Sequence, residues 1–340
     1  MYCRSRSMLT ALIALLLLSA TAGAELVAVD RTLPAHLQRG GSVRLDTDIG
    51  LGLDIDNTDA DGESEVPAEY EGRQADLWSE GDRLERAGAL YESVQRFEAL
   101  VSERPDVSAA YWRTARGYWR IADALPREEQ ERRIEYFDLA DARAREGIET
   151  DSGCAPCMLW KYAAMGGLSM TRGFMWGARH AREMLGLLDR GIALKPTYRD
   201  DDKNSTLANL YYARAVFRRM VPDWFWLPWV IGVKGNTELA LLDIRNAMAL
   251  TADRVDYQVE LGAILLCQGK RKKQPERIDQ GVEALKYALT IPTYLRTDEI
   301  ERYYAKVLVD QPEKGCAYSG EGFIDVNKVK RSDLVSATAK

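Results

Sequence analysis

Thiols and aromatic rings are the residues here whose types and spacing could support chemistry. Cys154-Ala155-Pro156-Cys157 has dithiol spacing and opens a predicted helix, where the dipole would lower a thiol's pKa. The alternating strands and helices of a thiol oxidoreductase domain do not surround it, so a structural role is expected, with oxidoreductase chemistry the remote alternative. Residue 158 is Met, whereas haem attachment at such a motif needs His. Cys267 and Cys316 complete an even set of four beyond the N-terminal segment, the pattern of disulfides in an oxidising compartment. All four are disulfide candidates, and a Cys267–Cys316 bond would tie the tail to the last hairpin.

Other chemistry lacks its raw material. Histidine occurs only at positions 36 and 180, and His180 stands on a helix among Arg179, Arg182 and Glu183 with no second ligand at metal spacing. Asn57 to Glu63 resembles the start of a calcium loop, but position 12 would be Ala68, so the bidentate acid is missing. There is no Gly-rich phosphate loop, no nucleophilic Ser elbow and no convincing pair of acids. No catalytic residue, metal or cofactor is expected.

The aromatic residues suit binding instead. Trp112, Arg116 and Trp119 fall at i, i+4 and i+7 on one helix face, and Trp160 and Tyr212 extend the set to later helices. A second cluster, Trp224, Trp226 and Trp229, occupies Val221 to Gly235, where two prolines forbid one continuous helix. Such rings either pack helices together, shield a ligand cleft or dip into a membrane interface.

Helical hairpins must position these residues. From Gln74 to Pro105 the sequence places Leu77, Gly81, Leu84 and Gly88 on one stripe and Leu90, Val94, Phe97 and Val101 on a second. Four further pairs follow, over Ser108 to Asp151, Ala155 to Pro196, Asn204 to Leu250 and Val255 to Ile291, and a helix over Asp298 to Val309 caps them. Gly147, Gly191, Ala247 and Ala288 recur at one equivalent place near the ends of the second helices, where a small side chain admits a close neighbour. A single pair leaves its apolar stripes uncovered, so the pairs must stack.

With Gly81, Ser93, Phe97 and Pro105 in the first unit, and Leu261-Gly262, Ala240 and Ala247 later, the pattern resembles the tetratricopeptide repeat (TPR). The resemblance implies an all-α array of about five pairs plus a cap, in which first helices line a concave surface and Trp112, Arg116 and Trp119 face it. The block Cys157 to Ala164 leading to Gly191 to Tyr198, and the block Tyr211 to Trp224 leading to Gly235 to Ala240, narrow the likeness. Together they look like the T-component (TatT) family of tripartite (TRAP) periplasmic transporters. That resemblance implies a scaffold for another cell-envelope protein, namely a periplasmic solute-binding protein. A small apolar ligand held in an aromatic cleft is the alternative.

Charge and targeting signals set the remaining expectations. Arg4 and Arg6, an apolar run from Leu9 to Leu18 and Ala22-Gly23-Ala24 form a secretory signal over residues 1–24, which predicts export to the periplasm. The apolar run is too short to span a bilayer, and no later segment reaches spanning length. Residues 25–72 form an acidic leader rich in Gly and Asp, with ten acids and no Lys or Arg between Asp46 and Gly72. Its alternation from Val43 to Ile55 would suit a strand, paired with Phe323 to Val326 or with a partner. The repeat domain is expected over 73–311 and a tail over 312–340. Its near-neutral balance lacks the basic footprint of a nucleic-acid binder.

Overall fold

The computed structural model describes residues 66–201, 203–294, 297–320, 322 and 323. The predicted secretory signal, the alternating and calcium-like stretches of the leader, and the tail beyond Phe323 lie outside the described residues. So does most of the strand proposed at 323–326.

Twelve α-helices are present among the described residues. Five hairpins pair α1 (Arg73–Arg86) with α2 (Leu90–Glu103), α3 (Ser108–Ala124) with α4 (Gln130–Thr150), α5 (Ala155–Thr171) with α6 (Phe174–Ala193), α7 (Thr206–Met220) with α9 (Thr237–Leu250), and α10 (Val255–Lys272) with α11 (Pro275–Ala288). The five-residue helix α8 (Leu227–Ile231) interrupts the α7–α9 connection, and α12 (Asp298–Asp310) closes the series. A 3-10 turn, Pro312–Lys314, leads to a two-residue strand pair, β1 (Tyr318–Ser319) with β2 (Gly322–Phe323).

Each second helix packs on the next hairpin's first helix, and first helices also touch directly from α3 to α5, α5 to α7, α7 to α10 and α10 to α12. This is an all-α, TPR-like helical-hairpin repeat array. Side-chain caps support it locally: Asn236 accepts from the N–H groups of Glu238 and Leu239, both at 3.0 Å, at the start of α9. Pro156 and Pro275 fall in first turns, where their missing N–H groups cost nothing.

The recurring small residues mark the closest approaches. A Cβ on Gly147 would lie 2.6 Å from Cys157 Sγ and 2.9 Å from Tyr111 Cβ, so both neighbouring first helices converge on it. A Cβ on Gly191 would meet Leu210 of α7 at 2.9 Å. Ala247 and Ala288 are fully buried at the corresponding places.

The first helix departs from its expected face. Trp78, Gly81, Asp82 and Glu85 are its buried residues, while Leu77 and Leu84 are half-buried and Gly88 lies in the turn. The face turns by about one residue because two arginines of α3 meet Asp82 and Glu85, giving these buried acids partners, and because Trp78 packs on Tyr70, Phe97 and Trp112.

Candidate binding site

Polar side chains on first helices meet the connection between α6 and α7. Trp112 is 5% exposed and packs edge-on against Tyr198 at 5.2 Å. Arg116, 4% exposed, contacts Glu85 and Asp200 through separate nitrogens, at 2.5 and 2.7 Å. Arg113 stands over the rings of Trp78 and Trp112, and its nitrogens reach Asp82 at 2.8 Å and the Tyr198 hydroxyl at 3.0 Å. Tyr198 in turn donates to Asp200 at 2.9 Å.

The charges balance, with Arg113, Arg116 and Arg120 facing Asp82, Glu85 and Asp200. Burial works against the charge on Arg116, but the carboxylates of Asp200 and Glu85 outweigh it and hold the guanidinium above its ordinary pKa. Burial and the adjacent Asp200 push the Tyr198 hydroxyl well above the usual tyrosine range, so it stays a neutral donor.

The same connection is fastened at its other end. Arg254, paired with Asp256 at 2.6 Å, donates to the Lys203 carbonyl at 2.9 Å, and the Tyr294 hydroxyl donates to Asp201. Residues 198–201 and Lys203 thus form a strap from α3 to α10. It covers Trp112 and Arg116, two residues expected to face a partner, and makes them part of an internal brace.

Other expected residues remain open. Trp119 and Trp160 are half-buried, 5.7 Å apart, and Trp119 donates to the Ala163 carbonyl at 3.1 Å. Tyr212, also half-buried, stacks on Tyr257 at 5.1 Å. The aromatic strip of the first helices is thus two pairs, Trp119 with Trp160 on α3 and α5, and Tyr212 on α7 over the buried Tyr257 of α10.

The Val221–Gly235 cluster divides by depth. Trp224 and Trp226 stack at 5.1 Å and are half-buried against the core of α5, α6 and α7, whereas Phe225 and Trp229 are 74% and 77% exposed. Pro228 falls in the first turn of α8, and the left-handed Gly232 ends it. The expected single break by two prolines is therefore a short helix set between turns.

Two disulfides are present, Cys154–Cys157 and Cys267–Cys316. Cys154 and Cys157 are 5% and 0% exposed, which denies an incoming thiolate its line of attack. The second bond fixes the segment after α12 onto α10. Arg219 reinforces it, pairing with Glu260 at 2.6 Å and donating to the Tyr318 carbonyl at 2.8 Å, while the Tyr318 hydroxyl donates to Glu301. His180 stacks on Trp176 at 3.9 Å. Among the described residues no three His, Cys, Asp or Glu side chains converge as a metal site.

Two participants are not singled out by the sequence: the strap residues Tyr198 and Asp200, and the basic run Lys270 to Lys273 at the end of α10. An aromatic residue two positions before an acid in a long connection is a usable signal for the first. For the second, four consecutive cations at a helix end are visible in the sequence, though a helix C-terminus alone accounts for them.

No protein-family model matches this chain, and no curated protein does either. Among solved structures, the crystal structure of a thermophilic TPR protein from Thermus thermophilus is similar over 69% of this chain and 100% of that one, at 15% identity and a TM-score of 0.47.

Proposed function

We propose that this protein is a non-catalytic interaction scaffold of the cell envelope, which docks another protein on its inner aromatic strip. A single observation carries the reading: Trp119, Trp160 and Tyr212 stay partly exposed on first helices that are otherwise locked together. Locking reduces the ordering cost of binding, and half-buried Trp side chains supply large contact area with few rotatable bonds. The periplasm is the proposed compartment, since the signal-like N-terminus and the paired cysteines both suit an oxidising, exported environment. A solute-binding protein of a tripartite transporter is the proposed partner class, on the sequence resemblance alone.

Affinity purification of the chain and of a Trp119→Ala/Trp160→Ala variant from envelope extracts tests the proposal. A protein recovered at fixed stoichiometry with the parent and lost with the variant is expected. Equal recovery with both, from variants of equal thermal stability, would remove the strip as the docking site.

A further inference from the structure

The exposed rings of the α7–α9 connection stand beside cations. Asp223, two positions before Phe225, pairs with Arg271 at 3.4 Å, which brings the run Lys270-Arg271-Lys272-Lys273 to the base of the connection. Lys272 pairs with Glu238, just beyond the other end. A Cβ on Gly232, the residue that ends α8, would strike the Arg182 guanidinium, so Arg182 lies against this turn too. Arg182, Lys234, Lys270 and Lys273 are all exposed. Between Val221 and Glu238 the acids are Asp223 and Glu238, and each faces one of these cations.

The shape is a knob. Phe225 and Trp229 meet edge to face at 6.0 Å at its tip, over the stacked and half-buried Trp224 and Trp226. Two projecting rings fall far short of the roughly 1,000 Å² that a specific protein interface buries. A bilayer interface asks for less: amphipathic rings at headgroup depth, with Lys and Arg beside them to meet anionic lipid. No described helix is long and apolar enough to cross a membrane, so the contact would be peripheral.

We propose that this edge of the array is a membrane-docking surface, in which Phe225 and Trp229 enter the bilayer interface while Arg182, Lys234, Lys270 and Lys273 engage anionic phospholipid headgroups. The rigid base of Trp224 and Trp226 holds the tip ready, so insertion orders little that is not already ordered.

Flotation of the full chain with vesicles tests this, comparing phosphatidylcholine alone with phosphatidylcholine mixed with phosphatidylglycerol. Binding is expected only to the mixed vesicles, and salt should weaken it. Phe225→Ala/Trp229→Ala should reduce it about tenfold or more, and Lys270→Glu/Lys273→Glu about fivefold or more. Both pairs are exposed, so melting temperatures should match the parent. Three results would overturn the inference: no binding to mixed vesicles, equal binding to both vesicle types, or variants that bind within twofold of the parent. Loss of a co-purifying protein from Phe225→Ala/Trp229→Ala, without any vesicle binding, would assign the tip to a protein instead.

Discussion

Arg116 and Asp200 stand 2.7 Å apart although 84 positions separate them, because the α6–α7 connection returns to reach α3. Removing the Asp200 charge leaves Arg113, Arg116 and Arg120 facing Asp82 and Glu85 alone, one carboxylate short in a buried network. Breaking a buried pair on one side costs about 3 to 5 kcal/mol. Asp200→Asn is therefore expected to lower the urea midpoint and to raise hydrogen exchange across Tyr198 to Ser205. Unchanged exchange there would show that the strap is held by its other contacts.

Arg219 and Glu260 form a second buried pair, and their double contact makes a clean cycle. Arg219→Met or Glu260→Leu alone should each cost about 3 to 5 kcal/mol, since either leaves a bare charge in the core. The double variant should recover much of that loss. Recovery will stay incomplete, because Arg219 also supplies the Tyr318 and Gly315 carbonyls with donors. Denaturant unfolding of the three variants measures the coupling.

Glu301 gives the array a pH dependence with a definite sign. Burial dominates and raises its pKa to about 8, against the lowering effect of the Tyr318 hydroxyl, with Asp256, Glu260 and Asp298 adding to the rise. An acid whose folded pKa is raised contributes its stability fully below the unfolded value near 4.5, and loses it as pH rises through about 8. Stability should fall across that window by at most about 1.4 kcal/mol per pH unit from this group. Glu301→Gln should flatten the slope and be the more stable form at pH 9. A parallel slope in both proteins would assign the pH dependence elsewhere.

The hairpins were legible in the sequence because helix periodicity and small residues at fixed places are local signals. Gly147 and Gly191 are small for a reason that geometry repeats from unit to unit, and both lie where neighbouring helices converge. The strap was not legible, since nothing local says that Asp200 will meet Arg116 rather than water. That same pairing explains the turned face of α1: Asp82 and Glu85 read as solvent-facing until arginines from another hairpin are supplied. Trp112 and Trp119 illustrate the limit for the site, as one helix stripe contains a ring buried under the strap and a ring that stays partly exposed.

Cys267–Cys316 closes a loop of 49 positions, and in the chain-entropy picture a loop of that length is worth about 4 kcal/mol. The Cys154–Cys157 bond closes a separation of only 3 and should contribute much less. Cys267→Ser/Cys316→Ser is thus expected to melt well below Cys154→Ser/Cys157→Ser. Reductant should reproduce the first effect in the parent once unfolding exposes the bond. Equal melting of the two variants would mean that Arg219 and its neighbours already hold the tail without covalent help.

Trp112 and Trp119 separate packing from recognition on a single helix. Trp112 is 5% exposed between Trp78, Arg113 and Tyr198, so Trp112→Ala empties a ring-sized volume and should cost about 3 to 5 kcal/mol of stability. Trp119 makes one hydrogen bond, to Ala163, and is half-uncovered beside Trp160, so Trp119→Ala should cost less stability. If Trp119 anchors a partner, its loss should weaken binding by about 2 kcal/mol or more, roughly thirtyfold. Denaturant midpoints and titration against the co-purified partner read the two quantities independently. The expected result is a crossed pattern, with Trp112→Ala unstable but competent when folded and Trp119→Ala stable but weak. If both variants lose stability while the folded fraction of each binds normally, the strip is packing and the docking site lies on another face.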